Sequence, residues 1–141
     1  MRRTFVALSF ALLLACGNPP SATTPAPPAS FSATVLAIDK TIADANSSAV
    51  SVTIDLRTKG KMSVADAATV ESWCSQVAVL NKSITAEAAS TDTTTLQKQK
   101  IGLLIAAFAL PKVTGALDPS LQSLLGSILA AVTQIKAQVN A

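Results

Sequence analysis

The run Asp118-Pro119-Ser120-Leu121-Gln122-Ser123-Leu124-Leu125-Gly126-Ser127-Ile128-Leu129-Ala130-Ala131-Val132-Thr133-Gln134-Ile135-Lys136-Ala137-Gln138-Val139 decides the fold class. Leu121, Leu124, Leu125, Ile128, Leu129, Val132, Ile135 and Val139 recur at helical spacing and draw one apolar stripe, with Ser, Gln, Thr and Lys on the other side. Asp118 is placed to cap this helix, because its carboxylate can accept from a backbone N–H of the first turn. Pro119 suits the first helical position, where a missing N–H has no partner to lose. A lone amphipathic helix of this length does not offset the entropy of ordering its residues, so the stripe demands other helices to pack on.

Three upstream segments supply them. Phe31, Val35, Ile38, Ile42, Ala45, Ala49, Val52 and Leu56 alternate steps of four and three, which lays them along one seam of a helix ending at Lys59-Gly60. Ser47 to Leu56 also alternates with period two and is rich in β-branched residues, but the longer helical seam carries through it and the segment is read as helix. Ser63 can cap a second helix, with Asp66 in the capping-box place and a seam of Val70, Trp73, Val77, Leu80 and Ile84. The polar cluster Ser90-Thr91-Asp92-Thr93 breaks that pattern. Thr94 and Gln97 then offer a second capping box before a third helix expected from Thr95 to Leu110 and stopped by Pro111.

From Ile101 to Leu110 every residue is apolar or Gly, which leaves no face for water. This stretch is expected at the centre of a bundle, shielded by the other helices, or else, with Leu121 to Val132, against a membrane or an acyl chain. Its ten residues cannot cross a bilayer, which takes about 20. Four seams with short connections place the chain in the all-α class, as a small antiparallel helical bundle of three to four helices over residues 31–141, most simply up-down-up-down. A three-helix body with a loose first helix and left-handed coiled-coil hairpins are the other arrangements that these seams permit.

The N-terminal end follows a different grammar. Arg2 and Arg3 precede an uncharged apolar stretch from Phe5 to Ala15, and a small residue stands before Cys16, as in a secretory signal peptide. The eleven uncharged residues of that stretch are too short to span a bilayer. An ordinary secretory signal cut near Ala15 or Gly17 satisfies the same pattern. The run Leu13-Leu14-Ala15-Cys16 resembles the lipobox of bacterial lipoproteins. That resemblance implies a signal peptide over residues 1–15, cleavage before Cys16, and acylation of Cys16 with fatty chains such as palmitate. Leu13, Leu14 and Ala15 would then be the recognition residues. Two or three chains on one cysteine make a lasting anchor without a transmembrane helix. Gly17 after the cysteine implies, by the same resemblance, an outer-membrane protein facing the periplasm in a Gram-negative host.

Residues 16–30 form the expected tether. Asn18 to Ser30 holds Pro19, Pro20, Pro25, Pro27 and Pro28 and no bulky apolar group, so it cannot bury enough surface to order itself. As polyproline II, at about 3.1 Å per residue, it would hold the body up to roughly 40 Å from the lipid head groups.

Composition then excludes several classes of function. Without Arg2 and Arg3 the eleven Lys and Arg become nine, against eight Asp and Glu. With only Phe31, Trp73 and Phe108 as aromatics beyond the leader, neither phosphate neutralisation nor base stacking is provided for, and no nucleic-acid partner is expected. The chain has no His, so Ser-His and Cys-His pairs and His-based metal sites cannot be built. The carboxylates Asp39, Asp44, Asp55, Asp66, Glu71, Glu87, Asp92 and Asp118 are spread out, and Asp55 with Lys59 reads as an exposed i, i+4 pair. Five isolated glycines make no phosphate loop. If Cys16 is acylated, Cys74 beside Trp73 is the remaining thiol and reads as a small buried hydrophobe.

No catalytic residue, cofactor or metal is therefore expected, and the chain is not read as an enzyme. The expectation is a membrane-anchored lipoprotein with a structural or protein-interaction role toward an envelope protein or the cell wall. The alternative is a bundle that binds a lipid or another apolar ligand. The signal and Pro-rich stalk, though not the body, also resemble small phage-encoded lipoproteins of lysis or superinfection exclusion.

Overall fold

The computed structural model describes residues 29–106 and 108–141, so the expected signal peptide, Leu13, Leu14, Ala15, Cys16 and nearly all of the tether lie outside the described residues. Four helices follow in order: α1 Phe31–Thr58, α2 Val64–Ala88, α3 Thr94–Ala106 and α4 Pro119–Asn140. The protein is all-α, with no strand among the described residues.

Each boundary has a local cause. Ser30 Oγ accepts from the Ala33 N–H at 3.2 Å and starts α1. At its other end Gly60 adopts φ +66°, its N–H donates to the Arg57 carbonyl at 3.1 Å, and the Lys61 N–H donates to the Leu56 carbonyl at 2.9 Å. That is the Schellman closure, in which a glycine takes the left-handed position without a Cβ clash. Ser63 Oγ accepts from the Asp66 N–H at 3.0 Å to start α2, and Asp118 Oδ1 accepts from the Ser120 N–H at 2.9 Å to start α4. The β-branched Ser47–Leu56 stretch is helical throughout. Its Ser51 and Thr53 hydroxyls donate back to the carbonyls of Ser47 and Ala49, at 3.1 and 2.7 Å, and so stay satisfied within the helix.

The helices close a ring in which α1 packs along both α2 and α4, while α3 meets α2 and α4. Antiparallel pairing is visible in the contacts, since Asp39 meets Asn81 and Thr85 while Asn46 meets Cys74 and Arg57 meets Glu71. Val35, Ile42, Val70, Val77, Ile84, Ile101, Leu121, Ile128 and Ile135 are almost wholly buried at the centre. Among the described residues, every side chain of the core, and every apolar side chain packed on it, comes from residues 31–139.

The first helix is among the best-packed elements, which removes the three-helix arrangement with a loose first helix. Two further expectations are corrected. Helix α3 ends at Ala106 rather than Leu110, and residues 108–118 run without helix down the side of α2. Pro111 disfavours the helical region for Leu110, and the backbone finds better partners in the docked path: the Trp73 indole N–H donates to the Ala109 carbonyl at 2.6 Å. Nor is α3 central. Its Ile101 and Ile105 are buried, but Leu103 is 75% exposed. The all-apolar stretch reaches the core with one face only, because Gly102 brings α3 close to the end of α4, where a Cβ would stand 3.3 Å from Val139 Cγ1.

The second capping box is also corrected. Thr93, not Thr94, precedes the helix and accepts from the Leu96 N–H, at 3.4 Å. The Gln97 amide turns away to donate to the Ser90 carbonyl at 3.1 Å, and its oxygen accepts from Ser32 Oγ at 3.2 Å. Truncating the core should separate it from the surface. Ile128→Ala and Ile135→Ala are each expected to lower stability by about 2–5 kcal/mol in chemical denaturation, whereas Leu103→Ala should stay within about 0.5.

Candidate functional site

The polar side chains that reach the interior all belong to helix contacts. In α1 the buried positions Val35, Asp39, Ile42, Asn46, Ala49, Thr53 and Leu56 form a strict four-three series in which every second residue is polar. Asp39 accepts from Asn81 Nδ2 at 2.6 Å and from Thr85 Oγ1 at 2.5 Å, and Asn81 also donates to the Asp39 carbonyl at 2.8 Å. The ion pair nearest in sequence, Lys40 with Asp44, is exposed, so Asp39 is held by neutral donors. Burial pushes the Asp39 carboxyl above its ordinary value, with the Thr85 and Asn81 hydrogen bonds acting against that rise. Asn46 donates to the Cys74 carbonyl at 3.0 Å, while its own oxygen, buried, meets no donor.

At the opposite end of α2, Asp66 gathers the strap that follows α3. It accepts from the Thr114 N–H at 2.9 Å, from the Thr114 hydroxyl at 3.0 Å and from Ser63 Oγ at 2.9 Å. The Thr114 backbone bond, followed by the two hydroxyls, holds this carboxyl below its ordinary range. These bonds all run to the fold, so Asp66 is a latch for the strap, and it borders a depression of 260 Å³ with Lys61, Val113 and Leu117. Asp118 is likewise lowered, first by its Ser120 hydrogen bonds, as a helix cap.

The remaining carboxylates make ion pairs, as Asp55 does with Lys59 at 2.7 Å and Glu71 with Arg57 at 2.9 Å. Lys100 lies 2.5 Å from Asp92 and 3.4 Å from Glu87, which brings two acidic groups together around one cation on the surface. No group of three or more Cys, Asp or Glu that could hold a metal occurs among the described residues. Cys74 is buried, and that burial, with Glu71 nearby, pushes its thiol up to about 11, so it stays protonated at neutral pH and is a poor nucleophile.

An apolar groove of 250 Å³ lies between α2 and the end of α3, lined by Trp73, Val77, Val79, Leu80, Leu104 and Phe108 among others. The Trp73 and Phe108 rings lie 5.6 Å apart and tilted by 57°. Because the indole N–H is already bonded to Ala109, the aromatic pair offers only apolar surface. Drug-sized sites begin near roughly 300 Å³, so the groove suits a side chain or a length of acyl chain. Gln76 and Ser83 are its polar lining, and neither is a general acid or base.

Among the described residues no helix is long and apolar enough to cross a membrane. No protein-family model, no curated protein and no solved structure matches the chain.

Asp39 gives a measurable signature of the interior. Its pKa in the fold lies above the unfolded value of 3.8, so the native state holds its proton more tightly. The stability this contributes is complete below that value and is lost as pH rises through the raised one. Asp66, Asp92 and Asp118 act with the opposite sign, below the same value. The expected outcome is that wild type loses stability relative to Asp39→Asn as pH rises above 3.8. Thermal-unfolding midpoints of the two proteins that stay parallel as pH rises from that value would refute the assignment.

Proposed function

We propose that the chain is a lipid-anchored bacterial lipoprotein whose helical body is non-catalytic and serves a structural or protein-interaction role in the cell envelope. The observation that carries this is the run Leu13-Leu14-Ala15-Cys16 behind Arg2, Arg3 and a short apolar stretch. The Pro-rich residues that follow suit a tether, and Gly17 favours the outer membrane, facing the periplasm, in a Gram-negative host. A non-catalytic body is supported by the lack of His in the sequence, by the commitment of Asp39 and Asp66 to helix contacts, and by a protonated Cys74. The partner class is an envelope protein or the cell wall.

A second reading, binding of an apolar ligand, draws support from the Trp73 and Phe108 groove. Lipid co-purified with the body in native mass spectrometry, and lost on Leu104→Trp, would favour it.

The anchored reading is tested on the full chain in a Gram-negative host. Globomycin should accumulate the longer precursor. Cys16→Ser should abolish palmitate labelling and move the protein from the membrane to the soluble fraction. A wild-type exported chain whose Cys16 mass carries no acyl group would overturn the reading.

A further inference from the structure

Charge is divided unevenly over the bundle. Residues 31–93 carry five basic and seven acidic side chains, whereas residues 94–141 carry four lysines and Asp118 alone. Asp118 sits at the far end, capping α4, so the whole of α3 and the strap up to Leu117 is free of acidic side chains. The neighbouring acids of α2 and its turn, Glu87 and Asp92, are both engaged by Lys100. Lys98, Lys112 and Lys136 make no ion pair with a carboxylate among the described residues. Lys98 stands 5.5 Å from the Phe31 ring centroid, a contact that leaves its charge uncancelled.

The same side also exposes apolar residues, as α2 does at Val64 and Val79. Between Lys100 and Lys112 the sequence has no charged residue. Leu103 is 75% exposed, Leu110 48% and Leu96 39%. Leu96 and Leu103 are two helical turns apart and share a face, and Leu110 lies beyond them on the strap, bordering α2. Lys98 and Leu103 border one depression with Val139, and Lys136 borders the next one with Gly102 and Phe108.

We propose that this face, the outward side of α3 with the start of the strap, docks on an anionic phospholipid surface. Exposed leucines between flexible lysines match the two layers of such a surface, since the leucines can enter the head-group boundary while the ammonium groups stay with the phosphates. A second copy of the chain is a poor occupant, because a twofold pairing of this patch sets lysines against lysines. The docking goes beyond the anchored reading and does not need Cys16. It adds a second contact that would lay the body against the membrane.

The test uses residues 17–141, which keep every described core residue and cannot be acylated at Cys16, in co-sedimentation with phosphatidylglycerol/phosphatidylethanolamine vesicles and with phosphatidylcholine vesicles. Binding to the anionic vesicles only, lost at high salt, is the expected result. Changing Lys98, Lys112 and Lys136 together to Gln should weaken it about a hundredfold, at roughly fivefold per lysine, while Lys82→Gln on α2 leaves it unchanged. Leu103→Ser with Leu110→Ser should also weaken it, and circular dichroism should show each variant folded as wild type. Failure of the wild-type body to sediment, equal binding to both vesicle types, or indifference to the triple change would each overturn the docking. Capture of a protein by this face, with vesicles ignored, would do the same. Because Cys16 is absent from this protein, failure here leaves the acylation result untouched.

Discussion

The contact on which the rest of the bundle depends is the alternating seam of α1 against α2, where Val35, Ile42, Ala49 and Leu56 bury apolar surface and Asp39, Asn46 and Thr53 stand between them. Apolar packing alone would tolerate a slide of one helix past the other by a turn. The polar members do not: Asp39 needs both Asn81 and Thr85, and Asn46 needs the Cys74 carbonyl. A buried polar residue at such a position fixes register and orientation at a cost in stability. The cost is visible here as a desolvated carboxyl without a cation and as an Asn46 oxygen without a donor, the latter worth about 1–3 kcal/mol in comparable cases. Once α1 and α2 are set, the ring closes around them.

The fourth side of the ring is completed by two kinds of structure. Helix α3 is only 13 residues long and covers half the length of α2; the strap covers the rest. A strap has backbone groups to satisfy, and it is pinned where α2 offers partners, at Trp73 through Ala109 and at Asp66 through Thr114. Val113 and Leu117 then fold against the core in place of a helical face. At the other end of α2 Gln97 plays the matching part, since its amide meets the terminal Ser90 carbonyl and its oxygen reaches Ser32 of α1. Local caps and long-range latches are here the same side chains.

How far the sequence discloses this depends on the range of the interaction. The helical stripe from Leu121 to Ile135, the Gly60 closure, and the Ser63 and Asp118 caps are set within a few residues, and the periodicity and cap rules read them correctly. The end of α3 was hidden because it turns on partners far along the chain: Ala109 leaves the helix for an indole 36 residues away. Asp39 and Asn46 were hidden for another reason. A seam drawn through apolar residues alone passes over Ile38 and Val52, which are half-buried, while the four-three steps from Val35 run through the polar residues instead. Continuing the step regardless of residue type would have found them. Leu129 was expected in the stripe of α4 but is 39% exposed, while Ala131, outside the apolar stripe drawn from large side chains, is buried.

The polar groups of the interior are thus consumed in positioning helices, and this bears on what the molecule can do. Asp39 and Asp66 are the carboxylates that burial and hydrogen bonding perturb within the core, the usual mark of a reactive site. Each accepts hydrogen bonds from donors of the fold, and the aromatic groove holds no titratable side chain. Asp66 also borders a depression of 260 Å³ with Lys61 and Val113, where its oxygens already accept from Thr114 and Ser63. On the exterior, six of the twelve charged side chains of residues 31–93 pair with one another and two more are held by Lys100, whereas Lys98, Lys112 and Lys136 stand without an ion pair on the side of the exposed Leu96, Leu103 and Leu110. Nothing in the packing of the core calls for Leu103 to be large and apolar at 75% exposure, since Ile101 and Ile105 already supply the buried face of α3. Val64 is nearly as exposed on α2, so exposure alone does not mark a surface; what sets Leu103 apart is its place in one depression with Lys98, whose charge meets no carboxylate.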